Sequence, residues 1–171
     1  MFLVVLAYLA FFSTALPDSM LGVAWPSMRI SFQQPLGAAG LVPPFGVAAT
    51  LVSTALAGVL VAQVGVGRLL ALSTLLSAGA LVVSATSTTL AQFLVSVVLL
   101  GLSSGAIDVT LNAHSARAFG PRRINFLHAS YVIGAAASPL IVTISIQTGS
   151  SWRLPYGTWP SFSSSWPRCS P

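Results

Sequence analysis

The chain has 171 residues, of which 55% are hydrophobic and 5% charged, and its seven basic and two acidic side chains give a net charge of +5. A water-soluble domain carries about 25% charged residues because its surface faces water, so this composition excludes a soluble globule and makes lipid the solvent for most of the surface. The basic residues are all Arg and lie dispersed between apolar runs, which argues against a nucleic-acid partner and for loop anchors.

The apolar runs are continuous, not alternating, and so predict helices in preference to a membrane barrel. Residues 2–25 are expected to form a first span, bent or locally unwound at Pro17 and Asp18. A cleaved signal peptide is the alternative, but its basic leading segment is missing and more apolar runs follow. The second span covers residues 36–62 without a charge. Roughly 20 apolar residues cross a bilayer, so this span tilts or begins irregularly at Pro43 and Pro44. Residues 69–85, 90–113 and 125–146 give the third, fourth and fifth spans, and the short connections make chain neighbours antiparallel. The expected fold class is an all-α integral membrane bundle of about five transmembrane helices.

Beyond Gly157 the composition changes. Residues 158–171 are rich in Ser, Pro and Trp, show no helical apolar period and are too short to span. They are expected to be a disordered tail or to lie out of frame. The lone Cys169 allows no internal disulfide. Arg68, Arg117, Arg122 and Arg123 fall in loops on one side, against Arg29 and Arg153 on the other. This excess places the first side, and with it the N-terminus, in the cytoplasm of a multi-pass cell-membrane protein.

The only two acids, Asp18 and Asp108, both fall inside predicted spans. A charge at the bilayer centre costs about 2.5–3.5 kcal/mol on insertion scales, so such a residue faces a cavity or a partner. The alternative for each is a hydrogen bond within the bundle or a place near an interface. Gly101, Gly105, Asp108 and Asn112 share one helical stripe. Its glycines permit close helix approach, and its carboxylate and carboxamide, one turn apart, suit the hydroxyl groups of a small polar solute. Asn125 and His128 open the fifth span. His128 reads either as a proton relay, since imidazole titrates near physiological pH, or as an interfacial cap. His114 reads as a helix-end residue, and Gly134 to Pro139 as a small-residue packing face followed by a kink. No metal-ligand spacing, phosphate loop or serine with a positioned base is present in the sequence, so neither a cofactor, a metal nor an enzymatic activity is expected.

The segment from Gly58 through Gln63 and Gly65 to Arg68 resembles the cytoplasmic loop motif of the major facilitator superfamily, with Gln63 where an acid is usual. Gly105 to Asn112, then Arg123 to His128 and Gly134-Ala135, are similar to the fucose-permease-like sugar–proton symporters. The resemblance covers residues 2 to 157. It implies that Asp108 and Asn112 line a central cavity, that His128 faces it, that Asp18 serves proton coupling, and that Gly58, Gly65 and Arg68 form a gating loop. It further implies a partial N-terminal half, residues 1–157, of a twelve-helix transporter whose substrate sits between two halves. In that family Trp152, Arg153 and Tyr156 would introduce a sixth helix. The Ser/Pro-rich residues that follow therefore lead to the expectation of a truncation or frameshift near residue 157, with the C-terminal half as the missing partner. The function implied is proton-coupled transport of a small, sugar-like solute, with the fragment alone not competent. The rival readings are a non-transporting membrane fragment that needs a second half, and a small dimeric multidrug exporter, which has four spans.

Overall fold

The computed structural model describes residues 2–118 and 121–164, without the side chains of 2–7, 9, 10, 13, 114–118, 121, 123 and 159–164. The described residues form α1 (Phe2–Ser31), a 3₁₀ segment (Leu36–Leu41), α2 (Val42–Val64), α3 (Val66–Thr86), α4 (Leu90–Ala118), α5 (Pro121–Gln147) and α6 (Arg153–Ser164), with no strand. The chain is an all-α membrane protein. Four stretches among the described residues are long and apolar enough to cross a bilayer: Leu36–Val64, Val66–Thr86, Leu90–Ala113 and Ile124–Gln147. The span expected over residues 2–25 falls in α1, where several side chains lie outside the described residues.

The helix boundaries follow local chemistry. α1 stays helical through Pro17 and Pro26 instead of unwinding. Proline is tolerated in the helices of membrane bundles, and next to Pro17 the Ser138 Oγ of α5 donates to the Leu16 carbonyl at 2.8 Å. The second span does begin irregularly. A 3₁₀ turn precedes α2, whose first turn holds Pro43 and Pro44, where a missing N–H costs nothing. Gly65, at φ +82°, joins α2 to α3 in a conformation that favours glycine. α4 opens on a Thr-x-x-Gln cap: Thr89 Oγ1 accepts the Gln92 N–H at 3.3 Å, and Gln92 Oε1 accepts the Thr88 N–H at 2.9 Å.

The close helix pairs are α1 with α5 and α2 with α4, while α3 packs against α4 and α6. Chain neighbours α1 and α2 do not form a major contact, so antiparallel succession alone does not describe the packing. The pairs are set by small residues. A Cβ on Gly101 would lie 2.5 Å from the Gly46 carbonyl, and one on Gly105 would lie 2.7 Å from that of Thr50. Both positions advance by four along both chains, so α2 and α4 run parallel in tight contact. Gly134 presses against the Phe12 carbonyl in the same way, and Ser138 meets Leu16 one turn on, so α1 and α5 are also parallel. In lipid such contact replaces the hydrophobic drive that water supplies. Exchanging α1, α2, α3 for α4, α5, α6 turns the α1/α5 pair into α4/α2 and maps α3/α6 onto itself.

At one end of the bundle Trp25, Phe32, Phe93, Trp152 and Tyr156 are buried together. Phe93 meets Trp152 and Tyr156 edge to face, with ring centroids 6.4 and 6.2 Å apart. Trp152 Nε1 donates to Ser31 Oγ at 3.1 Å, and Arg153 Nη2 donates to the Ser87 carbonyl at 2.9 Å. The ends of α1, α3 and α5 therefore share this side. The same contacts anchor α6, which remains helical to Ser164, past the start of the tail expected at residue 158. The reason is tertiary: Tyr156 is buried and Gly157 lies against Ala85 of α3. Residues 165–171, including Cys169, lie outside the described residues.

Candidate functional site

A cleft of about 330 Å³ opens between α1, α2, α4 and α5. Thr14 and Asp18 reach it from α1, Thr50 from α2, Ser104 and Asp108 from α4, and His128 and Tyr131 from α5. Phe11 and Ile107 also line it, and both belong to a second apolar cluster with Leu111 and Leu127. Both acids of the chain therefore meet in one cavity, although they are 90 positions apart in a sequence numbered from Asp18 to Asp108.

Asp18 sits in the middle of α1, because this helix runs on to Ser31. Tyr131 Oη donates to its Oδ2 at 3.2 Å. Asp108 is held differently. Asn112, one turn on, donates from Nδ2 to Asp108 Oδ1 at 3.0 Å, the pairing their spacing predicts. This bond leaves the amide oxygen of Asn112 and Asp108 Oδ2 as acceptors with no protein donor among the described residues. Along the stripe through Gly101, Gly105, Asp108 and Asn112, the glycines seat α4 on α2 and Asp108 lines the cleft, whereas Asn112 reaches it only through its bond to Asp108 and is not among the lining residues.

His128 lines the cleft and stands edge-on to Phe11, with ring centroids 5.8 Å apart. Its side chain is exposed. Asn125 is exposed in the second turn of α5 and is not among the cleft-lining residues. Gly58 is exposed within α2, Gly65 forms the α2–α3 turn, and Arg68 is exposed in the first turn of α3. These three do not line the cleft. The side chains of His114, Arg117 and Arg123 lie outside the described residues. No group of three or more His, Cys, Asp or Glu that could hold a metal occurs among the described residues.

Sequence reasoning missed Tyr131, Thr14, Thr50 and Ser104. Tyr131 carried a readable signal: a tyrosine in the middle of a span needs a partner for its hydroxyl. The hydroxyls of Thr and Ser carry no such signal, since within a helix they also bond to the preceding turn, as Thr14 Oγ1 does to the Phe11 carbonyl at 3.0 Å. No family model matches the chain, and no curated protein sequence matches it.

Proposed function

We propose that this chain belongs to a secondary transporter that carries a small, polar, sugar-like solute together with protons. The observation that carries this reading is the convergence of Asp18, Asp108 and His128 on one cleft inside an otherwise apolar bundle. Ionisable groups at membrane depth mark solute and ion pathways. The exchange symmetry of the helix pairs adds a second support. Secondary transporters of the superfamily that the motifs resemble nest 3+3 inverted repeats within each six-helix half; the α1/α5, α2/α4 and α3/α6 contacts obey that exchange, whereas the α3/α4 contact has no α6/α1 counterpart among the described residues.

In this reading Asp108 and Asn112 hold solute hydroxyls, and His128 contributes a further donor or acceptor across the cleft. Proton binding at Asp108 removes a charge from the cavity wall and frees the site to close. Asp18 is fixed by Tyr131. Asp108 and His128 are exposed, so an opposing polar wall must complete the site during transport. A second helical unit supplies such a wall, which also accommodates the rival reading of a subunit that transports only when paired.

Reconstitution of the chain together with a second helical unit that completes the cleft, in vesicles loaded with a pH-sensitive dye, tests the proposal. Addition of neutral monosaccharides, one at a time, is expected to acidify the lumen for at least one of them, and Asp108→Asn is expected to abolish that flux. Flux that persists in Asp108→Asn with unchanged pH dependence removes the assignment.

A further inference from the structure

Beside Asp18 lies a second cavity of about 10 Å³ that shares Thr14, Asp18 and Ser104 with the cleft. That is room for roughly one water-sized particle. Thr14 and Asp18 of α1, Ser77 of α3, and Ser103 and Ser104 of α4 contribute its polar lining. We propose that it is a binding site for one dehydrated monovalent cation of sodium size.

The chemistry of the lining supports a cation. Asp18 Oδ2 takes the Tyr131 hydroxyl, which leaves Oδ1 without a protein donor. No cationic side chain lines either cavity that Asp18 touches. Asp18 is exposed to the cleft with no cationic side chain beside it, and the sequence places its Arg residues away from it; a carboxylate at membrane depth takes a partner or a bound ion. Thr14 Oγ1 spends its hydrogen on the Phe11 carbonyl, and Ser103 Oγ on that of Leu100, at 3.0 and 2.8 Å. Their oxygens therefore present lone pairs. Ser77 and Ser104 make no hydrogen bond among the described residues, so their oxygens are available as well. One carboxylate and several neutral hydroxyl oxygens, converging from three helices, make a hard oxygen donor set of the kind that alkali and alkaline-earth cations take. The single carboxylate matches one positive charge. The small volume favours a bare ion of sodium size over the larger potassium. Binding there would tie α1, α3 and α4 together beside the cleft; its service to transport rests on the reading above, whereas the binding itself does not.

Thermal unfolding of the purified full chain in detergent, in sodium, potassium or choline chloride at equal ionic strength, tests the site. Sodium at ten times its dissociation constant is expected to raise the midpoint by roughly 3 °C, with no rise in potassium or choline. Ser77→Ala and Ser104→Ala, on different helices, are expected to weaken sodium binding at least tenfold. Thr14→Ser keeps the sodium response and Thr14→Val loses it. Saturable binding of radioactive sodium to the unmodified chain gives a second readout that needs no variant to fold. Absence of both a sodium-specific shift and saturable binding overturns the proposal. A sodium shift that is unchanged in Ser77→Ala and Ser104→Ala overturns it too, by placing the ion elsewhere. Because the readout is binding, a failure to detect solute flux leaves it intact.

Discussion

At the residue scale, the two acids are held in unlike ways, and this has measurable consequences. Asp108 has a local partner, Asn112, on its own helix, whereas Asp18 depends on Tyr131 from a helix remote in sequence. Tyr131→Phe is therefore expected to loosen α1 from α5, at a cost of about 0.5–1.5 kcal/mol in denaturant unfolding. Asn112→Ala, which breaks a bond within one exposed helical turn, is expected to cost less than about 0.5 kcal/mol. Equal losses in the two variants would contradict the assignment. The Asp108–Asn112 pair was legible in the sequence because helical spacing alone brings the two together. The Asp18–Tyr131 bond was not, since it depends on how two helices are rotated about their axes, which one sequence does not state. His128 was legible only as a choice between relay and cap; the structure places it beside Phe11 among the cleft-lining residues. Asn125 has the same sequence signal and does not line the cleft, being close to a helix end where a polar residue finds water.

At the element scale, the close pairs are α1/α5 and α2/α4, and glycine decides both. Gly105→Val would drive a side chain into the Thr50 carbonyl and Ser53 Cβ. A loss of about 1–3 kcal/mol is expected, as for overpacking generally. Gly79 meets nothing within 4 Å, so Gly79→Ala is expected to leave stability unchanged or slightly raised, because alanine favours the helix. Unfolding in mixed detergent, read by helical circular dichroism, separates the two outcomes. The sequence showed that Gly101 and Gly105 form a packing face and did not show that α2 is the partner. For α6 the only sign was the family resemblance at Trp152, Arg153 and Tyr156: Pro155, Pro160 and the serines lack a helical period, and the helix exists because Tyr156 and Trp152 dock into the aromatic cluster. Arg153 completes that docking through the Ser87 carbonyl and by lying over the Trp152 ring, 4.5 Å from its centroid. Arg153→Gln is expected to detach α6, with faster proteolysis after Gly157 while α1–α5 stay folded.

At the scale of the whole molecule, the bundle has two distinct ends. Ser31, Ser87 and Trp152 gather at one, and the α2–α3 turn at Gly65 lies at the other, because α2 and α3 each run the length of the bundle. The Arg distribution predicts that the Gly65 end is cytoplasmic. In a Cys169→Ser background, Gln147→Cys is expected to react with an impermeant maleimide on intact cells, and Gly67→Cys only after permeabilisation. The reverse pattern would invert the topology and leave the cleft unaffected. The central claim is that the space between α1, α4 and α5 is an aqueous polar pathway within a lipid-facing bundle. Cysteine accessibility tests it without knowledge of the solute. In the same background, Ser104→Cys and His128→Cys, which line the cleft, are compared with Val132→Cys and Leu140→Cys on the exposed apolar face of α5. A small, positively charged thiosulfonate should modify the first pair readily and the second pair at least tenfold more slowly. If the cleft cysteines stay unreactive while those at Val132 and Leu140 are modified, the polar pathway does not exist and the transport reading falls with it.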